Sequence, residues 1–216
     1  DENGIQEVVN VCASIDSLEK TKALMEKYSF VYGAFGIHPD DAELVTEEVL
    51  DKIRECCGLE KAVAVGEIGL DYYWHKEAGE HELQKKVFRQ QMEIARELHM
   101  PFMVHSREAA ADTLDLVKDC VNRGMYGGII HCFSYGKEMA REYLNMGLYL
   151  GIGGVVTFNN ARKVKEVVEY APLEQIVLET DSPYLSPVPY RGKRNCSLNL
   201  PLVAEEIGRI KGISSE

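Results

Sequence analysis

The chain has 216 residues, 45% of them hydrophobic and 27% charged, a balance that excludes a disordered polymer and allows one barrel-sized domain or two smaller ones. Its 24 Lys and Arg against 35 Asp and Glu give a net charge of −11, which excludes coating of nucleic acid by a general basic face but not contact through one basic pocket. Cys12, Cys56, Cys57, Cys120, Cys132 and Cys196 form no C-x-x-C pair and read as buried thiols of a reducing compartment. No apolar run approaches 18 residues and no leader opens the sequence, so no membrane is expected and the default location is cytoplasmic.

In chain order, Asp1, Glu2, Asn3 and Gly4 read as the frayed end and C-cap of a helix. Short apolar runs then alternate with helical stretches. The runs are 7–13 (EVVNVCA), 30–38 (FVYGAFGIH), 62–70 (AVAVGEIGL), 101–106 (PFMVHS), 128–134 (GIIHCFS), 148–153 (LYLGIG) and 176–181 (IVLETD). Nearly continuous apolar runs are expected of parallel strands covered on both faces. Between them, Asp16 and Glu19 read as a capping box, and Thr46 caps a stretch that stops at Gly58. The longest helix is predicted over 82–99, with Leu83, Val87, Ile94 and Leu98 on one stripe. Leu114, Val117 and Val121 mark the next helix, and Tyr143, Val164 and Val203 belong to three more. Ser214, Ser215 and Glu216 read as a helix start, so both ends read as cut.

No Gly/Ser-rich or Pro-rich linker interrupts the order, so a single domain over 1–216 is expected. No G-x-G-x-x-G follows the first run, which disfavours a doubly wound dinucleotide fold. The expected class is α/β, a TIM-type (β/α)₈ barrel lacking its first strand and last helix.

Such barrels carry their chemistry at the C-terminal ends of strands. Here the runs end on Glu67, His105, His131 and Asp181, with His38 ending a fifth. A lone strand-end His or Asp is usually structural. Three of the six histidines and two carboxylates at one barrel edge form a joint pattern whose mixed N and O donors suit Zn²⁺, Mn²⁺ or Co²⁺ better than a pure Mg²⁺ site. His75, His81 and His99 fall in helices or loops and read as surface groups.

The segments GEIGLDYYW, HSREA, HCFS and ETDSPYL, in this order and spacing, resemble the TatD family of metal-dependent deoxyribonucleases, and FGIHP and PYRGKRN are similar to two more of its signatures. The resemblance implies a hydrolase that cleaves phosphodiester bonds of DNA, usually from a 3′ end, with two divalent ions (Zn, Mn, Co or Mg). Glu67 would bridge the ions, and His105 and His131 would bind one of them. Asp181 would bind the other and accept a proton from the attacking water. The family's first strand ends in an H-x-H pair that supplies two more ligands, and this sequence contains no H-x-H. The expectation for this chain is therefore one tightly held metal at most, or none, and weak nuclease activity. Asp40 also stands where the family often has a second histidine.

Around the strand ends the sequence turns locally basic. Arg107, Arg191 and Arg194 are candidate phosphate contacts because guanidinium grips phosphate at two points, and His38 is expected on the substrate side rather than as a ligand. Lys193 reads as solvated, and Asn195 as a group that caps or positions its loop. Tyr72, Tyr73 and Trp74 either stack on a base or pack their loop. DNA is the expected substrate, and no protein partner is indicated. Two other readings remain open: a related barrel hydrolase acting on an amide, ester or lactone, and a catalytically impaired binding protein.

Overall fold

A computed structural model describes residues 4–125 and 127–214. The expected helix remnant at the N-terminus therefore lies, apart from Gly4, outside the described residues, as do Ser215 and Glu216 of the expected helix start. Among the described residues the chain packs as two compact units, one within residues 6–128 and the other within 129–214 with 4–5.

In residues 6–128 four parallel strands follow one another: β1 (Val8–Val11), β2 (Val31–Phe35), β3 (Ala62–Asp71) and β4 (Phe102–Arg107). Four helices join them: α1 (Ile15–Lys27), α2 (Glu47–Cys57), α3 (Ala78–Glu97) and α4 (Ala110–Asn122). The core interleaves Phe35, Val65, Ile68 and Phe102 of the strands with Leu18 of α1, Ile53 of α2 and Phe88 of α3. Burial on both faces is what the continuous apolar runs require. Thr46 caps α2 as expected, its hydroxyl accepting from the Val49 N–H at 3.4 Å. α1 is capped differently from expectation. Ser14 is its N-cap, and the Ser17 hydroxyl, rather than Glu19, accepts from the Ser14 N–H at 2.9 Å.

Three further parallel strands occupy the second unit: β5 (Gly128–Ile130), β6 (Tyr149–Ile152) and β7 (Ile176–Leu178). They alternate with α5 (Lys137–Asn145), α6 (Arg162–Tyr170) and α7 (Leu200–Lys211). Val164 and Val168 of α6 and Val203 and Ile207 of α7 are buried, as their spacing predicts.

Several strands stop short of the runs that announced them. β2 ends at Phe35, before His38; β5 ends at Ile130, before His131; β7 ends at Leu178, before Asp181. The reason is local backbone. His38 is followed by Pro39, which opens a 3-10 turn (Pro39–Leu44), while Cys132 and Asp181 adopt φ of +44° and +54°, incompatible with a pleated strand. All six cysteines are free. Cys12, Cys56, Cys57 and Cys120 are buried as expected, whereas Cys132 is half-buried and Cys196 is exposed on a loop.

Candidate metal centre

Glu67 lies within β3, where its neighbours from Ala64 to Asp71 are buried and its own side chain remains 16% exposed. β3 and β4 run in register, Gly69 opposite His105 and Asp71 opposite Arg107. Gly69 has φ +147°, and a Cβ there would fall 2.0 Å from the His105 carbonyl oxygen, so only glycine lets the two strands approach at this point. His105 Nδ1 then meets Glu67 Oε1 at 3.0 Å. From β2 side, His38 Nε2 stands 3.9 Å from the same oxygen, and the His38 and His105 rings are 4.3 Å apart edge to face. His38, Glu67 and His105 each present one donor atom, all within 4.8 Å of one another.

A second carboxylate completes the arrangement. Asp71 is 1% exposed, and its Oδ2 lies 3.1 Å from His105 Nε2. Its Oδ1 accepts the N–H groups of Tyr73 and Trp74 at 2.9 and 3.1 Å. Burial alone would lower the His105 pKa, but the hydrogen bonds to Asp71 and Glu67 outweigh it and raise the value to about 9. Without a metal, His105 is thus an imidazolium between two carboxylates. Burial by itself would raise the Asp71 pKa; the bonds from His105 and the Trp74 N–H bring it below the usual range. Beyond His38, the imidazole hydrogen bond holds Asp40 down to about 2, with His75 adding to it.

Two buried glutamines of α3 set the backbone of this site. The Gln91 amide accepts from the Ile37 N–H at 2.8 Å and donates to the Ile37 carbonyl at 3.0 Å, fixing the residue before His38. Gln84 does the same to Asp71, at 2.9 and 3.1 Å.

In the second unit, His131 Nδ1 is 2.5 Å from Glu179 Oε2 and its Nε2 is 3.4 Å from Asp181 Oδ1. Glu179 Oε1 also accepts the Cys132 N–H at 3.0 Å. A Cβ at Gly151 would fall 2.5 Å from Glu179 Oε2, so the glycine leaves space for that carboxylate. Asn195 is buried and does position its loop, donating to the Thr180 carbonyl at 2.7 Å and accepting from the Cys196 N–H at 2.9 Å. Arg194 lines a cavity of about 400 Å³ with Ser182, Pro183 and Asn195. Arg191 lies 4.4 Å over the Phe158 ring, and Lys193 lies exposed beside Tyr190.

The structure brings Glu67 together with His105, and His131 with Asp181. His38, expected on the substrate side, stands among the donors of the first group. Asp71 and Glu179 were passed over as site residues although both lie inside the quoted segments; being one of several polar residues past a strand end carries no signal until the ring nitrogens they face are known. His75 and His81 are partnered rather than free surface groups. His75 bridges Asp40 and Glu80 at 3.1 and 3.2 Å, and His81 stacks on Tyr72 at 3.6 Å. Tyr72 packs its loop, its hydroxyl donating to Asp112 at 2.7 Å.

The donor set fits a divalent cation. Two imidazoles and a carboxylate with open positions are the composition of a catalytic site, and a buried carboxylate behind a ligating imidazole is its usual support.

A family model described as TatD-related DNase matches residues 1–216. The chain is 42% identical over 212 residues to an uncharacterized metal-dependent hydrolase, YabD of Bacillus subtilis, covering 98% of this chain and 82% of that protein. It is 38% identical to YcfH of Escherichia coli, also an uncharacterized metal-dependent hydrolase, over 84% of this chain and 66% of that one. A more distant relative, at 29% identity over 97% of this chain and 80% of its own length, is the 3′-5′ ssDNA/RNA exonuclease TatD of Cronobacter sakazakii. Among solved structures, the TatD homologue YjjV of Escherichia coli superposes with a TM-score of 0.91 at 25% identity, covering 99% of this chain and 82% of that one. The class is accordingly α/β of the TIM type, with seven parallel strands among the described residues.

Proposed function

The chain is a metal-dependent hydrolase of the TatD-related DNase family, and on that premise we propose that it hydrolyses phosphodiester bonds of DNA from a 3′ end. The observation that carries this reading is the approach of His38, Glu67 and His105 donors to within 4.8 Å, with Asp71 buried behind His105. The activity named for the Cronobacter relative supports the choice of bond and direction. Three guanidinium groups, those of Arg107, Arg191 and Arg194, are the phosphate contacts in a chain that is otherwise acidic.

Divalent ions, Zn, Mn, Co or Mg, are the cofactor class, held by His38, Glu67 and His105 and, in the second group, by His131 and Asp181. When bound, they supply Lewis acidity toward a phosphoryl oxygen and lower the pKa of water. Glu67 has two carboxylate oxygens and would be the residue able to serve more than one ion. His105 would hold an ion through Nδ1, the nitrogen that faces Glu67, while Asp71 on Nε2 would keep the proton there and fix the ring. Glu179 does the corresponding work for His131. Asp181 is the proton carrier. As the water oxygen forms its bond to phosphorus and the P–O bond to the departing nucleotide breaks, Asp181 takes the proton from the first and returns it to the second.

Turnover of a single-stranded oligodeoxynucleotide, a p-nitrophenyl phosphodiester, an amide and a lactone, measured side by side with Mn²⁺, tests the proposal. Release from the two phosphodiesters alone is expected, with kcat of Asp181→Asn down by about 100-fold or more. Turnover of the amide or lactone without the phosphodiesters would move the chain to the other branch of barrel hydrolases.

A further inference from the structure

We infer that Arg107, Tyr73 and Trp74 form a nucleotide-holding platform that selects an unpaired base, an inference that rests on the nuclease reading. Asp71 launches this segment: the same carboxylate that faces His105 also binds the N–H groups of Tyr73 and Trp74. The turn is therefore fixed by a group of the candidate metal centre rather than hanging free. On it, Trp74 is 65% exposed, an unusual position for an indole, and meets Tyr73 edge to face at 4.7 Å. Its contacts with Tyr73 and Arg107 leave most of the indole open to solvent. Its open face is a surface on which any base can stack.

Arg107 supplies the charge. It lies opposite Asp71 in the β3–β4 register, with its guanidinium 4.0 Å over the Tyr73 ring and 5.6 Å from Trp74. Among the described residues no carboxylate pairs with it, in a chain with 35 acidic residues. The nearest candidate in sequence, Glu108, is turned away at φ +54° and pairs with Lys76 at 3.3 Å. The left-handed backbone there, costly for a glutamate, goes with a Glu108 side chain paired to Lys76 rather than to Arg107. Stacking on Tyr73 holds the guanidinium plane while its N–H edge remains available to a phosphate. A base on Trp74 and its phosphate on Arg107 are one nucleotide apart by chemistry. A base inside a duplex has both faces covered by its neighbours, so the platform accepts a single strand or a frayed end.

The chain contains one tryptophan, so its intrinsic fluorescence reports on this platform directly. A thymidine decamer with phosphorothioate linkages, which resists cutting, is titrated with Mn²⁺ and with EDTA, beside an abasic decamer and a duplex of equal length. Saturable quenching by the thymidine decamer alone is expected. By anisotropy of the labelled decamer, Trp74→Ala and Arg107→Ala should each weaken binding about tenfold, with Trp74→Phe restoring most of the loss. Equal quenching by all three probes, or wild-type affinity in Trp74→Ala, would overturn the platform. If the decamer binds and its phosphodiester counterpart is cut at the wild-type rate by Trp74→Ala, the platform fails and the nuclease reading stands. If the decamer does not bind and its counterpart is not cut, both fail.

Discussion

His105 is the residue whose protonation couples stability to metal binding. Its folded pKa of about 9 lies above the ordinary value of 6.5, so its two carboxylate bonds stabilise the metal-free chain fully below about 6.5 and lose that effect as pH rises through 9. Thermal unfolding of the metal-free chain should fall between pH 7 and pH 10, and His105→Gln should flatten that limb. A metal must displace the same proton. Calorimetric titration in buffers of different ionisation enthalpy should reveal proton release on binding, with affinity falling as pH drops. Asp71→Asn should lower metal affinity by about 10–100-fold without unfolding the chain. Gly151→Ala is a parallel case in the second unit. The added Cβ meets the Glu179 carboxylate at 2.5 Å and the Cys132 backbone nitrogen at 3.2 Å, so the carboxylate must move and the Glu179–His131 bond is lost while the fold is kept. Retention of that bond in a structure of the variant would contradict this. Glu67, His105, His131 and Asp181 stood out in the sequence because each follows an apolar approach, whereas His38 was expected on the substrate side and stands beside Glu67 and His105. The supporting carboxylates, Asp71 and Glu179, did not stand out, because support is defined by a through-space partner.

Among the elements, α3 does the most to position the site. Gln84 and Gln91 are seven residues apart on its buried face, and each closes both hydrogen bonds of one peptide next to or at a site residue. Replacing Gln91 with Leu strands a buried N–H and a buried carbonyl, so a loss of about 2–4 kcal/mol is expected in denaturant unfolding. Equal stability of Gln91→Leu and the parent would show that the clip is dispensable. The apolar period placed Val87 and Ile94 on the buried face correctly. It also chose Leu83 and Leu98, which are 36% and 37% exposed, and opened the helix at 82 rather than Ala78. Two glutamines interrupt the apolar stripe, and only the ends of β2 and β3 reveal why amides occupy it. Strand boundaries failed for a related reason. The apolar run continues past the last ladder pair into loops that carry His38, His131 and Asp181.

At the scale of the whole molecule, the alternation of apolar runs and amphipathic stretches was enough to read a parallel α/β fold of the TIM type, since burial on both faces leaves a plain signature. The local basic groups were legible despite the net charge of −11, but that Glu108 pairs with Lys76 rather than with Arg107 was not, because it depends on a left-handed backbone at Glu108. Acid sensitivity should come in part from Glu206, which Arg209, with Lys165, holds down at about 2. Its depressed pKa stabilises the second unit above about 4.5 and is lost as pH falls toward 2; Glu206→Gln should shrink that acid-range loss by about 1 kcal/mol at most. Among the described residues no helix is long and apolar enough to cross a membrane. The proposed hydrolysis depends on a divalent ion that His38, Glu67 and His105 would hold. Its most direct test is Mn²⁺ titration of the chelator-stripped full chain and of Glu67→Gln, followed in the same samples by the rate of oligodeoxynucleotide cleavage. The parent should bind metal and gain activity in proportion, while Glu67→Gln should lose both by at least about tenfold. Undiminished binding and cleavage in Glu67→Gln, or cleavage by the parent in excess chelator, would contradict that dependence.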